Sequence, residues 1–207
     1  DIFYISRRPA VNSFVEIIAK RHIIILSIAM YIDYCNMIVP GGAKHKIIMA
    51  THTNGSRDSK SLFHNTNTIL TFTKEEDILG MKYLNSIGIK QKNEYVCLLV
   101  RDSNYFKVLL PESDMSKHDY RDSDINTYLL AAEWLHDNKK LKTVRMGKYV
   151  KDRAPQKDFL EDYANSQNRS DFLDIWLMAN CLFCISTTPG LETVSVCFRK
   201  PLLLSSH

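Results

Sequence analysis

From residue 94 onward, apolar runs of strand length alternate with stretches whose apolar positions recur every three or four residues. EYVCLLV (94–100), LKTVRMG (141–147), CLFCIS (181–186) and KPLLLSS (200–206) read as strands of the kind a parallel sheet buries on both faces. Between them, SDINTYLLAAEWLHDN (123–138) carries an apolar face at Ile125, Leu129, Ala132 and Leu135 behind a Ser/Asp cap. KDFLEDYANS (157–166), RSDFLDIWLMAN (169–180) and the segment after Pro189 also have helical spacing, the second capped by Ser170 or Asp171. Strand and helix alternating with short connections predict βαβ units, hence an α/β fold with a Rossmann-like, doubly wound parallel sheet.

Upstream the pattern is less regular. VNSFVEIIAKR (11–21) has helical spacing through Val11, Phe14, Val15 and Ile18 and leads into the β-branched run HIIILS. Residues 33–68 read as irregular, interrupted by Pro40-Gly41-Gly42, a short strand KIIMA (46–50) and a long polar stretch. Thr73 followed by Glu76 is a capping box that opens a helix over 75–87, ending at Gly88. The expected division is an incomplete N-terminal domain, 1–74, and a Rossmann-like domain, 75–207. The abrupt start at DIFYISRRP and the stop just after a strand-like run read as a fragment of a longer protein.

Composition adds limits rather than direction. With 45% hydrophobic and 24% charged residues in 207, the chain is neither disordered nor fibrous. A net charge of +4, spread along the chain, suits a small anionic ligand and gives no reason to expect nucleic acid. The most apolar segment, HIIILSIAMYI (22–32), is too short to span a bilayer, and no signal peptide is visible. Five cysteines in apolar surroundings read as reduced, buried thiols of a cytoplasmic protein; the pair Cys181 and Cys184 lacks both a redox context and a second pair for zinc. The seven histidines show no metal-binding spacing, and no Walker A lysine, G-x-G-x-x-G or G-x-S-x-G occurs. No metal and no bound cofactor are expected.

Ligands of doubly wound sheets sit beyond the carboxyl ends of the strands. Three such ends are suggestive: Arg101-Asp102-Ser103-Asn104 after the first strand, Arg145-Met146-Gly147-Lys148 after the second, and Thr187-Thr188-Pro189-Gly190 after the third. An arginine fork binds phosphate oxygens in pairs and keeps its charge. The turn offers hydroxyls and the first N–H groups of a helix. The three ends together predict an anion site, although each arginine alone would serve equally well in a surface ion pair.

The motifs RDSNYF (101–106), YRDSDINTYLLAAEWL (120–135), TVRMG (143–147), YANSQNRSDFLDIWLMANCLFCIST (163–187) and TPGLETVSVCFRKPLLL (188–204) resemble, in this order, a group of bacterial glycosyltransferases associated with surface-polysaccharide genes. SRD (56–58) and FTKEEDILGMKYLNSIGI (72–89) look similar as well, so the likeness runs over roughly 45–207. More distantly, the last stretch resembles the G-[ST]-x-x-G…A…KP segment of heptosyltransferase-like and fucosyltransferase-like enzymes. The turn departs from the group's usual G-T-D-S-G-L by reading Ser186-Thr187-Thr188-Pro189-Gly190-Leu191.

The resemblance implies the GT-B architecture and a metal-independent transferase. Such an enzyme moves a sugar from a nucleotide-sugar donor to a surface glycan or lipid-linked acceptor, the latter at the inner face of the membrane. By the same resemblance Arg101 and Arg145 stabilise the leaving nucleoside diphosphate, and Thr187, Thr188, Gly190 and Leu191 hold its diphosphate or ribose. Asp171 is either a partner of one of the arginines or the cap of its helix. Arg121, Asp122 and Asp124 either line the cleft or cap the helix at 123. The general base is expected from the N-terminal part, where His52 and Asp58 are the candidates. The competing expectation is a Rossmann-like module that binds a nucleotide, another anion or a protein partner without chemistry of its own.

Overall fold

A computed structural model describes residues 2–3, 11–45, 65–112, 114 and 116–205. KIIMA, His52 and Asp58 lie outside the described residues. The chain forms two compact units, residues 1–71 and 72–207.

In the first unit β1 (Ile2–Phe3) and β2 (Ile24–Ile25) pair in parallel, and α1 (Ser13–Lys20) lies between them in sequence. Asn12 caps α1 by accepting from the N–H groups of Phe14 and Val15. The apolar stripe is narrower than its spacing predicts: Phe14 and Ile18 are buried while Val11 and Val15 face out. The irregular reading of 33–68 is corrected at its start, where α2 (Ala29–Ile38) forms without any side-chain cap. Apolar residues on nearly every side of it, many of them exposed (Met30, Ile32, Met37, Ile38), leave no periodic contrast for a sequence reading to detect. It stops just before Pro40, and Gly41 turns at φ +82°.

The second unit opens with α3 (Lys74–Ser86) on the predicted capping box: Thr73 N–H donates to the Glu76 carboxylate at 2.8 Å, and Glu76 N–H to the Thr73 hydroxyl at 3.3 Å. Then come β3 (Tyr95–Leu99), α4 (Asn104–Leu109), α5 (Leu129–Lys139), β4 (Lys142–Met146), β5 (Leu160–Glu161), α6 (Asp171–Asn180), β6 (Cys184–Ser186), α7 (Glu192–Cys197) and β7 (Leu202–Leu204). All five strands are parallel, in the order β5-β4-β3-β6-β7. The chain therefore starts at the central strand, steps outward twice, and returns to the other side of its starting point. This is the α/β, Rossmann-like order that the alternation predicts.

Alternation along β3 divides the core in two. Tyr95, Cys97 and Leu99 join Tyr83, Trp176, Leu177 and Cys184 on one face, with α3 and α6; Val96, Leu98 and Val100 join Ile125, Leu141 and Ile185 on the other, with α5. One expectation fails and another holds with a change at its start. KDFLEDYANS is not a helix: Leu160 and Glu161 extend the sheet beside Thr143 and Val144, and a 3-10 turn, Tyr163–Asn165, follows. Pairing with the exposed edge of β4 overrides the helical spacing there. The helix expected over 123–138 begins as a 3-10 turn, Ile125–Tyr128, capped by Asp124, before α5 takes over.

Among the cysteines, all free, Cys97, Cys181 and Cys184 are buried as expected, and burial pushes the Cys184 thiol up to about 12; Cys35, however, is exposed. Among the described residues no helix is long and apolar enough to cross a membrane.

Gly80 sets how closely α3 approaches α6. A Cβ placed there would overlap the indole of Trp176, which is fully buried and donates its Nε1–H to Asp77 at 2.9 Å. Gly80→Ala would gain about 1 kcal/mol of helix propensity but overpack a rigid ring, which costs about 1–3 kcal/mol. The expected outcome is a lower melting temperature by calorimetry, and an unchanged or raised one would show that α3 does not seat on Trp176.

Candidate functional site at the carboxyl edge of the sheet

The strand order reverses between β3 and β6, whose following segments leave toward opposite faces of the sheet: the one from β3 leads to α5, whereas Leu191 and Val194 pack on the α3 and α6 side. A reversal of this kind opens a crevice at the carboxyl ends of the two strands. Arg101 and Thr187 stand at this point. Arg101 N–H donates to the Thr187 hydroxyl at 2.8 Å, and Thr187 N–H donates to the Leu99 carbonyl at 3.0 Å. Thr187, buried, is thus a strut between the strand ends rather than a group held out to a ligand.

Arg101 is only 6% exposed. Its Nε donates to Asp122 at 3.4 Å, long for a charge-assisted bond, and its guanidinium carbon lies 5.3 Å from the Phe106 ring centre on α4. Its two terminal nitrogens have no hydrogen-bond partner among the described residues. A cation held at the strand-order reversal with one weak carboxylate contact retains most of its capacity for an anion.

Arg145 is different, and the expected pair of projecting arginines is corrected here. It lies within β4 opposite Leu98, on the α5 face, and is 3% exposed. Its Nη1 donates to the Asp152 carbonyl at 2.6 Å and to Asp162 at 3.4 Å. Asp162 in turn accepts from Ala154 N–H at 2.9 Å and from the Asn165 amide at 2.8 Å. Arg145 is therefore the anchor of the loop that joins β4 to β5. Asp102 and Asn104 fasten the same loop to the end of β3: Asp102 accepts from the N–H groups of Asn104 and Lys151 at 2.9 and 3.0 Å, and the Asn104 amide donates to the Tyr149 carbonyl at 2.8 Å.

The turn after β6 also departs from the expected cradle. Thr188 N–H donates to the Ser186 hydroxyl at 3.0 Å, Pro189 has no N–H, and Gly190 N–H donates to the carboxylate of Glu192 at 2.7 Å. Glu192 thus occupies, from within the chain, the place an anion would take. Helix α7 spans only six residues, Leu191 packs into the core, and Thr188 and Gly190 are exposed.

Asp171 is the first residue of α6, and its neighbour Ser170 is the cap, accepting from Leu173 N–H at 3.1 Å. Asp171 pairs with Lys148 and Arg169, each at 3.6 Å. Arg169 also donates to Asp174 at 2.6 Å and to the Gly147 carbonyl at 3.1 Å, and the Tyr163 hydroxyl donates to Asp174 at 2.9 Å. Burial raises the Asp174 carboxyl above its ordinary range against the pull of Arg169, and burial followed by Asp174 pushes the Tyr163 phenol up. The charges here are balanced among themselves and hold the end of β4. Arg121 closes a 3-10 turn, Ser116–Arg121, with its guanidinium carbon 5.7 Å from the Tyr120 ring centre.

Sequence reading missed three half-buried hydroxyls on the α5 side of Arg101. Ser123 donates to Tyr128 at 3.3 Å and Tyr128 to Ser205 at 3.4 Å. Ser123 and Tyr128 fall inside a helical pattern and Ser205 at a strand end, so no local signal joins them. Among the described residues no group of three His, Cys, Asp or Glu side chains could hold a metal ion.

Removing one partner of a buried ion pair leaves the other uncompensated, a cost on the order of 3 kcal/mol for a well-buried pair. Arg145→Met is therefore expected to lower stability in urea unfolding clearly more than Arg101→Met, because Arg145 anchors a loop while Arg101 makes one long bond. Equal losses would remove the distinction between an anchor and a ligand group.

Comparison with family models, curated proteins and solved structures finds no match for this chain.

Proposed function

We propose that the unit 72–207 binds the diphosphate of a nucleotide at the crevice between β3 and β6, and that the protein is a glycosyltransferase using a nucleotide-sugar donor. The observation that carries the reading is Arg101: a buried guanidinium at the strand-order reversal whose terminal nitrogens lack a partner among the described residues. The sugar-transfer part rests on the motif resemblance together with the Rossmann-like order, and so does the GT-B architecture. In the transfer, an acceptor hydroxyl oxygen attacks the anomeric carbon and the bond to the diphosphate oxygen breaks. The electron pair leaves with the nucleoside diphosphate, where Arg101 faces the growing charge. The hydroxyl proton passes to a base, for which His52 and Asp58 remain the candidates. The acceptor is a surface glycan or a lipid-linked precursor met at the inner membrane face, and the protein works in the cytoplasm.

One observation favours a second reading, a binding module without chemistry. Ser186 holds the Thr188 N–H, Pro189 has none and Glu192 holds the Gly190 N–H, so the backbone of residues 188–190 contributes no open donor to a diphosphate.

The test is calorimetric titration with nucleoside diphosphates and nucleotide sugars, paired with thermal shift, since a ligand that binds only the folded state raises its melting temperature. At least one nucleoside diphosphate should bind, and Arg101→Met should weaken it by about tenfold or more, the equivalent of one charge-assisted hydrogen bond. Normal affinity in Arg101→Met would overturn the anion assignment. Binding with donor hydrolysis at background, in the presence of candidate acceptors, would favour the module.

A further inference from the structure

The three hydroxyls beside Arg101 point to the rest of the ligand. Ser123 is fixed against β3 by its N–H, which donates to the Arg101 carbonyl at 3.0 Å. Ser205 is fixed against β6 in the same way, by its N–H to the Ser186 carbonyl at 3.0 Å. Tyr128, between them, lays its ring against the core of the α5 face, so its hydroxyl is carried on a rigid support. All three side chains are half-buried, and they form a line across the ends of β3, β6 and β7 on the α5 side of the crevice.

The contacts within this line are loose. Separations of 3.3 and 3.4 Å lie well beyond the usual length for a bond between hydroxyls, about 2.7–2.8 Å. Each hydroxyl offers one donor and two acceptor lone pairs, so two long bonds leave most of that capacity unspent. The line carries no formal charge, and Ser123 ties it to Arg101 through the bond to the Arg101 carbonyl and through the preceding residue, Asp122, which the Arg101 guanidinium meets. A neutral group rich in hydroxyls, attached to an anion, meets both requirements. Adjacent hydroxyls of a vicinal diol can each donate to one member of the line and accept from the next, and such hydroxyl chains strengthen one another cooperatively where water is limited.

We infer that Ser123, Tyr128 and Ser205 form a subsite for a vicinal diol on the ligand whose phosphate Arg101 holds, the ribose of a nucleotide being a diol joined to phosphate. The inference rests on the anion reading above. It makes these residues determinants of specificity rather than of charge.

The experiment titrates the whole chain with inorganic diphosphate, with the uridine, cytidine, guanosine and adenosine ribonucleoside diphosphates, and with their 2′,3′-dideoxy counterparts. The wild-type protein should bind the ribonucleotide it prefers about tenfold tighter than the dideoxy form, the worth of about one net hydrogen bond. Tyr128→Phe, which keeps the ring packed, and Ser205→Ala should each erase most of that preference while leaving the affinity for inorganic diphosphate unchanged. Circular dichroism and the retained diphosphate affinity report that the variants are folded. If the wild type binds inorganic diphosphate and shows no preference for the ribose forms, the diol subsite is refuted and the anion site stands. A preference that survives in both variants refutes the assignment to these residues. Failure to bind any of the three ligand classes sinks both the anion site and the subsite built upon it.

Discussion

The unit 72–207 depends on β3 being buried on both faces. Every residue from Tyr95 to Leu99 is inaccessible or nearly so, and both cores are organised around this strand. Its flanks are satisfied by parallel pairing with β4 on one side and β6 on the other, so no backbone group of the central strand needs water. The same double pairing forces the chain to cross from one half of the sheet to the other, and that crossing separates the segments following β3 and β6. The point where they part, at Arg101 and Thr187, is the geometric remainder of burying β3.

Which polar groups at that edge are free for a ligand is decided by the hydrogen bonds the loops need for themselves. The connection between β4 and β5 has no helix to hold it, and it is long and irregular. Arg145, Asp162, Asp102 and Asn104 are used to tie its backbone down. The turn after β6 is similarly closed by Ser186 and Glu192, and the start of α6 by Ser170, Arg169 and Lys148. Among the described residues, this accounting leaves over the terminal nitrogens of Arg101, the hydroxyl line and the enclosed Nε of Arg145. A charged residue at a strand end is thus weak evidence for binding by itself, since neighbouring loops compete for it.

Much of the fold was legible because its signals are local and periodic. EYVCLLV, the Thr73/Glu76 box and the Ser170 cap each state their structure within a few residues. The errors share one physical cause, dependence on distant partners. Leu160–Glu161 becomes a strand only because β4 presents an unpaired edge, and α2 carries its polar residues, Asp33 and Asn36, on its less exposed side, the reverse of the usual pattern. The site was legible to the level of the loops involved and no further. Arg101 and Arg145 look alike in sequence, each closing a β-branched or leucine-rich run. Register alone distinguishes them: Arg145 pairs with Leu98 inside the sheet, whereas Arg101 lies beyond its last rung.

Backbone strain points to the same edge. Among the described residues, non-glycine positive φ angles occur at Asn93, Lys140, Tyr149, Thr188 and Arg199. Lys140 and Arg199 terminate α5 and α7, where a left-handed residue is the ordinary way to end a helix, and Asn93 is of a type that tolerates the conformation. Tyr149 and Thr188 have neither excuse. One is bulky and the other β-branched, for which φ near +60° is costly, and both lie in loops at the carboxyl ends of strands, after β4 and β6. Strain of about 1–3 kcal/mol at such positions persists only where the surroundings over-determine it. Here the surroundings are known: the Asn104 amide on the Tyr149 carbonyl and the Ser186 hydroxyl on the Thr188 N–H. The amino edge of the same sheet carries only conformations that helix ends and asparagine readily adopt, so the asymmetry lies between the two edges of one sheet. Among the described residues, the unfavourable backbone around this sheet gathers at the edge that carries Arg101, where the loops are held by bonds that the packing of the core does not require.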